Sequence, residues 1–209
     1  MRLDAVVYTV AGMAFGVILG WVIGAQQLAR SGTSPAPAAA ASSNPSPQAQ
    51  SGGGRTAPTL DQTRVDQLTA AINGNPKDSA SVVQLANVYF DAERWNDAIS
   101  WYERALALEP RNADVSTDLG VSYYYTNRTD EALKRFEESL KINPKHTKTL
   151  LNKGIVLAFG KEDLKGAAAE WQKVVDLAPG TPEGEAARRA LEGVAAAHAA
   201  QQSPAPTQQ

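Results

Sequence analysis

The stretch "PRNADVSTDLGVSYYYTNRTDEALKRFEESLKINP", residues 110–144, places helical sequence and a polar turn between two prolines. Two further prolines, Pro76 and Pro179, flank it, so that the four prolines are separated by 34, 34 and 35 residues. Each of the four follows a helical stretch, and proline cannot continue a helix. The spacing therefore predicts a structural unit of about 34 residues that repeats along the chain.

Other positions recur when the segments are aligned on these prolines. A large aromatic side chain lies eight residues before each of the last three, and an alanine lies four residues before each aromatic: Tyr102, Phe136 and Trp171; Ala98, Ala132 and Ala167. Farther upstream come Leu85, Ala86 and Tyr89; Leu119, Gly120 and Tyr123; and Lys153, Gly154 and Leu157. Small residues at these places allow two helices to approach closely, and the large ones fill the space between units.

This pattern resembles the tetratricopeptide repeat, a helix–turn–helix unit of 34 residues. The matches in the first unit are Leu85, Ala86, Tyr89, Ala98, Tyr102, Ala105 and Pro110; in the second, Leu119, Gly120, Tyr123, Ala132, Phe136, Ser139 and Pro144; in the third, Gly154, Leu157, Ala167, Trp171, Val174 and Pro179. The third unit departs from the pattern, because Lys153 replaces the usual leucine and one extra residue is expected in its turn. The resemblance covers about 102 of the 209 residues.

The repeats predict an all-α fold, a short right-handed solenoid of eight helices over residues 59–199, with units at about 79–112, 113–146 and 147–180. A solenoid needs capped ends. At the front, Val65, Leu68 and Ile72 have the spacing of an amphipathic helix over residues 60–73. At the back, Thr181 is expected to cap a helix over residues 182–198 that begins at Pro182.

The N-terminal region, residues 1–30, is predicted to be a transmembrane anchor. Residues 5–25 are 21 residues without a charged side chain, and such a helix is about 31 Å long, enough to cross the hydrocarbon core. The alternative is a signal peptide that is cleaved near residues 23–25, but the apolar run is longer than the usual 7–15 residues. The sparse flanking charges favour a single-pass inner-membrane protein with periplasmic repeats.

Glycines recur at every fourth position of this apolar segment: Gly12, Gly16, Gly20 and Gly24. Small residues at this spacing allow close helix packing in a membrane, so the segment is predicted to contact a second helix, in a homodimer or in a larger membrane protein. The simpler alternative is that glycine is common in membrane helices. Residues 31–58 are rich in Ala, Pro, Ser and Gly and predict a disordered linker, and residues 200–209 predict a disordered tail.

The family resemblance implies that a partner segment binds on the concave side, which is lined by the first helix of each unit. The lining residues predicted from this register are Asn87, Phe90, Val121, Tyr124, Tyr125, Lys148, Leu151, Ile155 and Phe159. They are mostly apolar or aromatic and suit a partner with hydrophobic side chains, bound as a helix or as an extended strand. For Tyr124 and Tyr125 the alternative role is packing against a neighbouring unit.

One subtype of the family clamps the C-terminal carboxylate of chaperones with a Lys/Asn/Asn/Lys/Arg set. The matching positions here are Val83, Asn87, Asp118, Lys148 and Asn152, of which two agree. Asp118 would repel a carboxylate, so chaperone tails are not the expected ligand.

No combination of residues in the sequence predicts catalysis. The chain has no cysteine, which excludes disulfides, thiolate metal sites and a cysteine nucleophile. Its two histidines, His146 and His198, are expected to be solvated surface residues. The formal net charge of −2 gives no electrostatic reason to expect a nucleic-acid partner. A groove enzyme stays a third alternative, which converging acid and base residues would support.

The sequence thus predicts a membrane-anchored adaptor or scaffold that binds a protein segment without a cofactor. Similar layouts occur in bacterial envelope proteins, which suggests a role in assembly or maturation of a membrane complex. The alternative is a secreted, soluble peptide-binding or chaperone-like module that is released by signal cleavage.

Overall fold

The computed structural model describes the backbone of residues 58–202 and the side chains of residues 58–197. This part of the chain forms eight α-helices joined by short turns. Their bounds are α1 Gln62–Gly74, α2 Ser79–Asp91, α3 Trp95–Leu108, α4 Ala113–Tyr125, α5 Thr129–Ile142, α6 Thr147–Gly160, α7 Leu164–Leu177 and α8 Pro182–Gln202. Each repeat is one helix pair: α2 with α3, α4 with α5, and α6 with α7. The predicted all-α solenoid of eight helices is confirmed for these residues.

Side-chain caps determine where several helices begin. Asp78 accepts a hydrogen bond from the Ser81 amide at 3.2 Å, and Asn112 accepts one from the Val115 amide at 3.1 Å. The predicted cap at Thr181 is confirmed, since its hydroxyl oxygen accepts from the Gly184 amide at 3.1 Å and α8 starts at Pro182. Such a cap satisfies an amide that has no partner within the helix.

The turn inside each repeat has the same length and geometry. Three residues join the paired helices, and the middle one has a positive φ: Glu93 at 57°, Asn127 at 61° and Glu162 at 57°. The extra residue of the third unit was expected in this turn, and that expectation is wrong. It lengthens α6, which has 14 residues where α2 and α4 have 13.

The core consists of two apolar clusters. One joins α1 to α5 with Val156 of α6 and includes Leu85, Tyr102 and Phe136; the other joins α6 to α8 and includes Trp171 and Val174. Small residues let the paired helices meet, as predicted: a Cβ built on Gly154 would lie 2.3 Å from Nε1 of Trp171, closer than side chains can approach. Ala86, Ala98, Ala132 and Ala167 are fully buried at related positions.

The ends of the solenoid are covered as the sequence indicated. Val65, Leu68 and Ile72 of α1 are buried, and α8 covers the last repeat with Ala186, Ala187, Ala190 and Val194. Helix α8 continues to Gln202, beyond the expected end at residue 198, so residues 200–202 are helical.

Several predictions concern segments outside the described residues. They are the anchor at residues 1–30, the linker up to residue 57, the end of the tail, and the glycine row Gly12, Gly16, Gly20 and Gly24. The side chain of His198 also lies outside them. Between residues 58 and 202, no helix combines the length and the apolar character that a membrane span requires.

Candidate functional site

The candidate site is the surface formed by the first helices of the three repeats, α2, α4 and α6, here called the helix-A face. On each helix the predicted lining residues recur every three or four positions and therefore share one side. Contacts between α4 and α6 run along their whole length. Asp114 meets His146 near the helix starts, Asp118 meets Lys148, and Tyr124 lies beside Gly160 near the helix ends.

Aromatic side chains gather where these helices end. Tyr125, the last residue of α4, stacks on Trp95 of the preceding repeat, with ring centroids 4.2 Å apart and planes inclined by 11°. Tyr124 lies 6.1 Å from Tyr125 and approaches Gly160 of the next repeat. The pair thus links all three repeats, and each ring remains partly accessible.

Both of these phenols are neutral at physiological pH, and burial makes their ionisation still less favourable. It raises the pKa of Tyr124, and it raises the pKa of Tyr125 to about 12, with smaller contributions from Tyr124 and from the carboxylate of Glu93. The two rings therefore offer hydroxyl groups and π-faces rather than negative charge.

Two predicted lining residues expose substantial apolar surface. Phe159 of α6 is 39% exposed, and Val121 of α4 is partly exposed. The other large hydrophobic residue with comparable exposure in the described part of the chain is Leu177, 41% exposed, which lies on α7. Leu177 is therefore a matched apolar position on a second helix of a repeat.

Three predicted lining residues are buried. Phe90, Leu151 and Ile155 are 6%, 2% and 4% exposed. Phe90 packs edge-on against Trp95 with ring centroids 5.0 Å apart, and Leu151 and Ile155 belong to the second apolar cluster. These side chains pack in the core beneath the helix-A face and offer little accessible surface to a partner.

The polar lining residues have partners inside the protein. The hydroxyl of Tyr102 donates to Oδ1 of Asn87 at 2.7 Å, and Nζ of Lys148 lies 2.7 Å from Oδ1 of Asp118. The Lys148–Asp118 pair is mostly buried, with 18% and 7% of the side chains exposed. Asn152 donates to the carbonyl of Lys148 at 2.8 Å. The two positions that agree with the chaperone clamp, Asn87 and Lys148, are thus engaged in internal contacts.

A buried hydroxyl cluster joins the second and third repeats. Its members Thr117, Ser139 and Thr149 are fully buried, with oxygen–oxygen distances of 2.6 Å for Thr117–Thr149, 2.8 Å for Ser139–Thr149 and 3.1 Å for Thr117–Ser139. The carbonyl of Ala113 accepts from Thr117 and Ser139. The spacing of residues in the sequence could not show that these three hydroxyls converge.

His146 belongs to the same cluster, which corrects the expectation that it is a solvated surface residue. Its side chain is 16% exposed; Nδ1 lies 2.5 Å from the Thr149 hydroxyl, and Nε2 lies 3.2 Å from Oδ1 of Asp114. His146 lies in the turn that follows Pro144, just before α6, and faces the start of α4.

Lys153, the departure from the repeat pattern, has a specific partner in the third unit. Its Nζ lies 3.0 Å from Oε1 of Glu170, and Nζ of Lys173 lies 2.9 Å from Oε2 of the same carboxylate. Burial alone would raise the pKa of Glu170, but hydrogen bonds from Lys173 and Lys153 bring that pKa below its usual value. A salt bridge replaces the apolar contact that leucine would make.

Comparison with known proteins identifies the repeat. Two family models match, both described as tetratricopeptide repeat, over residues 78–145 and residues 117–182. No match was found among curated proteins. Between residues 58 and 202, no group of three or more potential ligand side chains is arranged to hold a metal ion.

Solved structures share the fold. The Sgt2 TPR domain from Aspergillus fumigatus is 22% identical, with a TM-score of 0.55 over 63% of this chain and 89% of that one. MamA is 14% identical, with a TM-score of 0.54 over 66% and 88%. The first TPR of Spaghetti (RPAP3), bound to the HSP90 peptide SRMEEVD, is 21% identical, with a TM-score of 0.52 over 58% and 93%.

Proposed function

We propose, on the premise that this chain carries tetratricopeptide repeats, that it is a membrane-anchored adaptor whose helix-A face holds a segment of a partner protein. The repeats form a protein-interaction module. The observation that carries the proposal is the accessible apolar and aromatic surface of Val121, Tyr124, Tyr125 and Phe159, which lies on the first helices of adjacent repeats. Apolar side chains of a partner would be removed from water there.

The internal contacts of the polar residues bear on which partner is suitable. The structural neighbour bound to SRMEEVD holds a peptide that ends in two glutamates, a valine and an aspartate. In this chain, Lys148 is neutralised by Asp118 and Asn87 is bonded to Tyr102. A terminal carboxylate would have to displace both contacts and would then lie beside Asp118. We therefore retain the expectation that acidic chaperone tails are not the ligand.

The test is affinity purification of the full-length chain from native membranes in mild detergent. The variant Val121→Gln with Phe159→Gln replaces two partly exposed apolar side chains by a polar one. Glutamine favours helix, so the helices that carry these positions should be retained. Leu177→Gln is the matched control at an exposed apolar position on α7. Partners that are lost in the double variant and kept in the control support the helix-A face, and partners kept in all three proteins contradict it.

Membrane attachment is the second part of the proposal, and the uncharged residues 5–25 support it. The proposed location is the inner membrane with the repeats in the periplasm, where the adaptor would serve assembly or maturation of an envelope complex. The intact mass of the mature protein separates this proposal from a secreted module. A mass that includes residues 1–25 supports a retained anchor, and a mass that lacks them supports cleavage.

A further inference from the structure

We propose that the proline-containing part of the predicted linker, residues 34–47, binds to the repeats of its own chain. The binding surface is the group of rings formed by Trp95, Tyr124 and Tyr125, here called the aromatic edge. The inference goes beyond the proposed function, because it concerns a contact within one chain and needs no partner protein. A partner that binds the same rings would have to displace the linker.

The three rings of the aromatic edge form one connected surface. Trp95 begins α3 and stacks on Tyr125 with 4.2 Å between the ring centroids, and Tyr124 lies 6.1 Å from Tyr125. Each of the three side chains is partly accessible. Rings of this kind offer apolar faces to a ligand together with one polar donor group each.

The polar groups of these rings have no hydrogen-bond partner between residues 58 and 197. In that range the other tyrosines and tryptophans either donate a hydrogen bond or have a guanidinium group over the ring: Tyr102, Tyr123 and Trp171; Tyr89 and Trp101. No fully buried side-chain nitrogen or oxygen in the same range lacks a partner. The indole N–H of Trp95 and the hydroxyls of Tyr124 and Tyr125 therefore reach the surface, where they can donate to a ligand.

A proline-containing segment has the complementary chemistry. Residues 34–47 read SPAPAAAASSNPSP and contain two Pro-X-Pro pairs, Pro35 with Pro37 and Pro45 with Pro47. Proline fixes φ and favours the polyproline II conformation, in which the backbone carbonyls make no internal hydrogen bonds. Those carbonyls can accept from the indole and phenol groups while the proline rings pack on the aromatic faces. Aromatic-lined grooves recognise proline-rich segments in this way.

The charges near the aromatic edge do not favour a charged ligand. Both signs are present in the exposed turns that follow α2, α4 and α6: Glu93, Arg94, Arg128 and Lys161. Residues 31–54 contain no charged side chain. The linker can therefore approach these turns without repulsion from either sign.

The linker enters the repeats at the end of the helices where the aromatic edge lies. Helices α1 and α2 are antiparallel, since the amide of Asp78 donates to the carbonyl of Asn75 in the turn between them and Arg64 contacts Gln84. The start of α1 therefore lies beside the last turns of α2. That helix ends only four residues before Trp95.

The linker is long enough to reach the rings. Pro47 precedes Pro58, the first described residue, by 11 residues, which can span up to about 38 Å. Helix α2 packs against both α1 and α3, so the start of α3 lies about two helix spacings, or roughly 20 Å, from α1. Residues 34–47 can thus contact the aromatic edge without any change in the helices.

The test is photo-crosslinking within the purified full-length chain in detergent, with no partner present. Benzoylphenylalanine replaces Ala40, which lies between the two Pro-X-Pro pairs and outside the repeats. Trypsin cleaves after arginine, so residues 95–104 carry Trp95 and residues 112–128 carry both tyrosines of the edge. Electrophoresis separates adducts within one chain from adducts between two chains.

Two linker variants control for contacts that result from tethering alone. The first removes the proline pairs, Pro35→Ala with Pro37→Ala, Pro45→Ala and Pro47→Ala. The second keeps the prolines and the linker length, Ser42→Ala with Ser43→Ala, Gln48→Ala and Gln50→Ala. Neither changes a residue of the repeats, so the helices should fold equally in both proteins.

We expect adducts within one chain that are concentrated on residues 95–104 and 112–128. Their yield should fall about three- to tenfold without the prolines, because a less preorganised segment loses more conformational entropy on binding, and it should be unchanged in the second variant. Adducts spread over all exposed tryptic peptides, an equal yield without the prolines, or adducts only between chains would overturn the inference. The proposed function is tested separately by partner purification and would stand in each of these cases.

Discussion

At the residue scale, Gly154 shows how the repeat depends on side-chain size. A Cβ at this position would lie 2.3 Å from Nε1 and 2.6 Å from Cδ1 of Trp171, whose ring is buried and donates to the carbonyl of Leu151. The indole has no room to move aside, so the helices would have to separate. Overpacking of this kind costs about 1–3 kcal/mol and outweighs the gain in helix propensity, which is about 1 kcal/mol.

We therefore expect Gly154→Ala to lower the free energy of unfolding, measured by urea denaturation. The matched control is Gly74→Ala on α1, where a Cβ would meet nothing within 4 Å. That variant should be neutral or more stable. Equal stability of the two variants would contradict the close contact between α6 and α7.

Glu170 gives the protein a specific pH dependence. Glu170 is 8% exposed, its carboxylate pairs with Lys153 and Lys173, and its pKa in the folded state lies below the ordinary value. The stabilisation is fully present above the pKa of the unfolded state, about 4.3, and is lost as the pH falls through the lower folded pKa.

Glu170→Gln is therefore expected to cost about 1–2 kcal/mol at pH 7, because a charge-assisted hydrogen bond is replaced by a neutral one. The difference from the unmodified chain should shrink as the pH is lowered from 5 to 3. Thermal unfolding of both proteins between pH 5 and pH 3 measures this stability difference. Glu137→Gln, at an exposed position, is the control. A difference that stays constant with pH would show that the carboxylate charge is not responsible.

At the element scale, the helices divide into two groups. The apolar clusters meet between α5 and α6, where the hydroxyls of Thr117, Ser139 and Thr149 occupy the contact together with His146. Directional hydrogen bonds form part of this boundary beside the apolar contact of Val156 with the first cluster, and repeats interact mainly with their neighbours. Helices α6, α7 and α8 are therefore expected to open as one unit.

Native-state hydrogen exchange tests this division. We expect the most protected amides of α6, α7 and α8 to share one opening free energy, lower than that of α3 and α4. Thr149→Val keeps the side-chain shape and removes the hydroxyl. It should lower the opening free energy of α6, α7 and α8 by about 1–3 kcal/mol and that of α2 and α3 by less. A single opening free energy for all eight helices, with a uniform response to the substitution, would contradict the prediction.

The helical framework was predictable from sequence because its determinants are local and repeated. Prolines at regular intervals, small residues at Gly120 and Gly154, and aromatics such as Trp171 each contribute in the same way in every unit. The site was less predictable. Register alone placed Phe90 and Leu151 on the groove, but contacts with other helices bury both, and the convergence of Thr117, Ser139 and Thr149 depends on three-dimensional packing.

At the scale of the whole molecule, we propose a second interaction surface on the predicted anchor, the glycine row Gly12, Gly16, Gly20 and Gly24. We expect Gly16→Ile with Gly20→Ile to weaken helix–helix association without preventing membrane insertion, because large side chains separate the backbones. Co-purification and cross-linked oligomers of the full-length chain in membranes measure association, and extraction at high pH measures insertion. An unchanged oligomer and partner pattern would contradict a role for the glycines.

The central claim is that the helix-A face contacts a protein partner in the cell. The most direct measurement is photo-crosslinking in native membranes, with benzoylphenylalanine introduced in place of Phe159 and, separately, in place of Leu177. The two side chains are similarly exposed, 39% and 41%, and lie on first and second helices of repeats. The account predicts a discrete adduct from position 159 that is absent from position 177 and is reduced by Val121→Gln. Equal adducts at both positions, or an adduct at 177 alone, would contradict it.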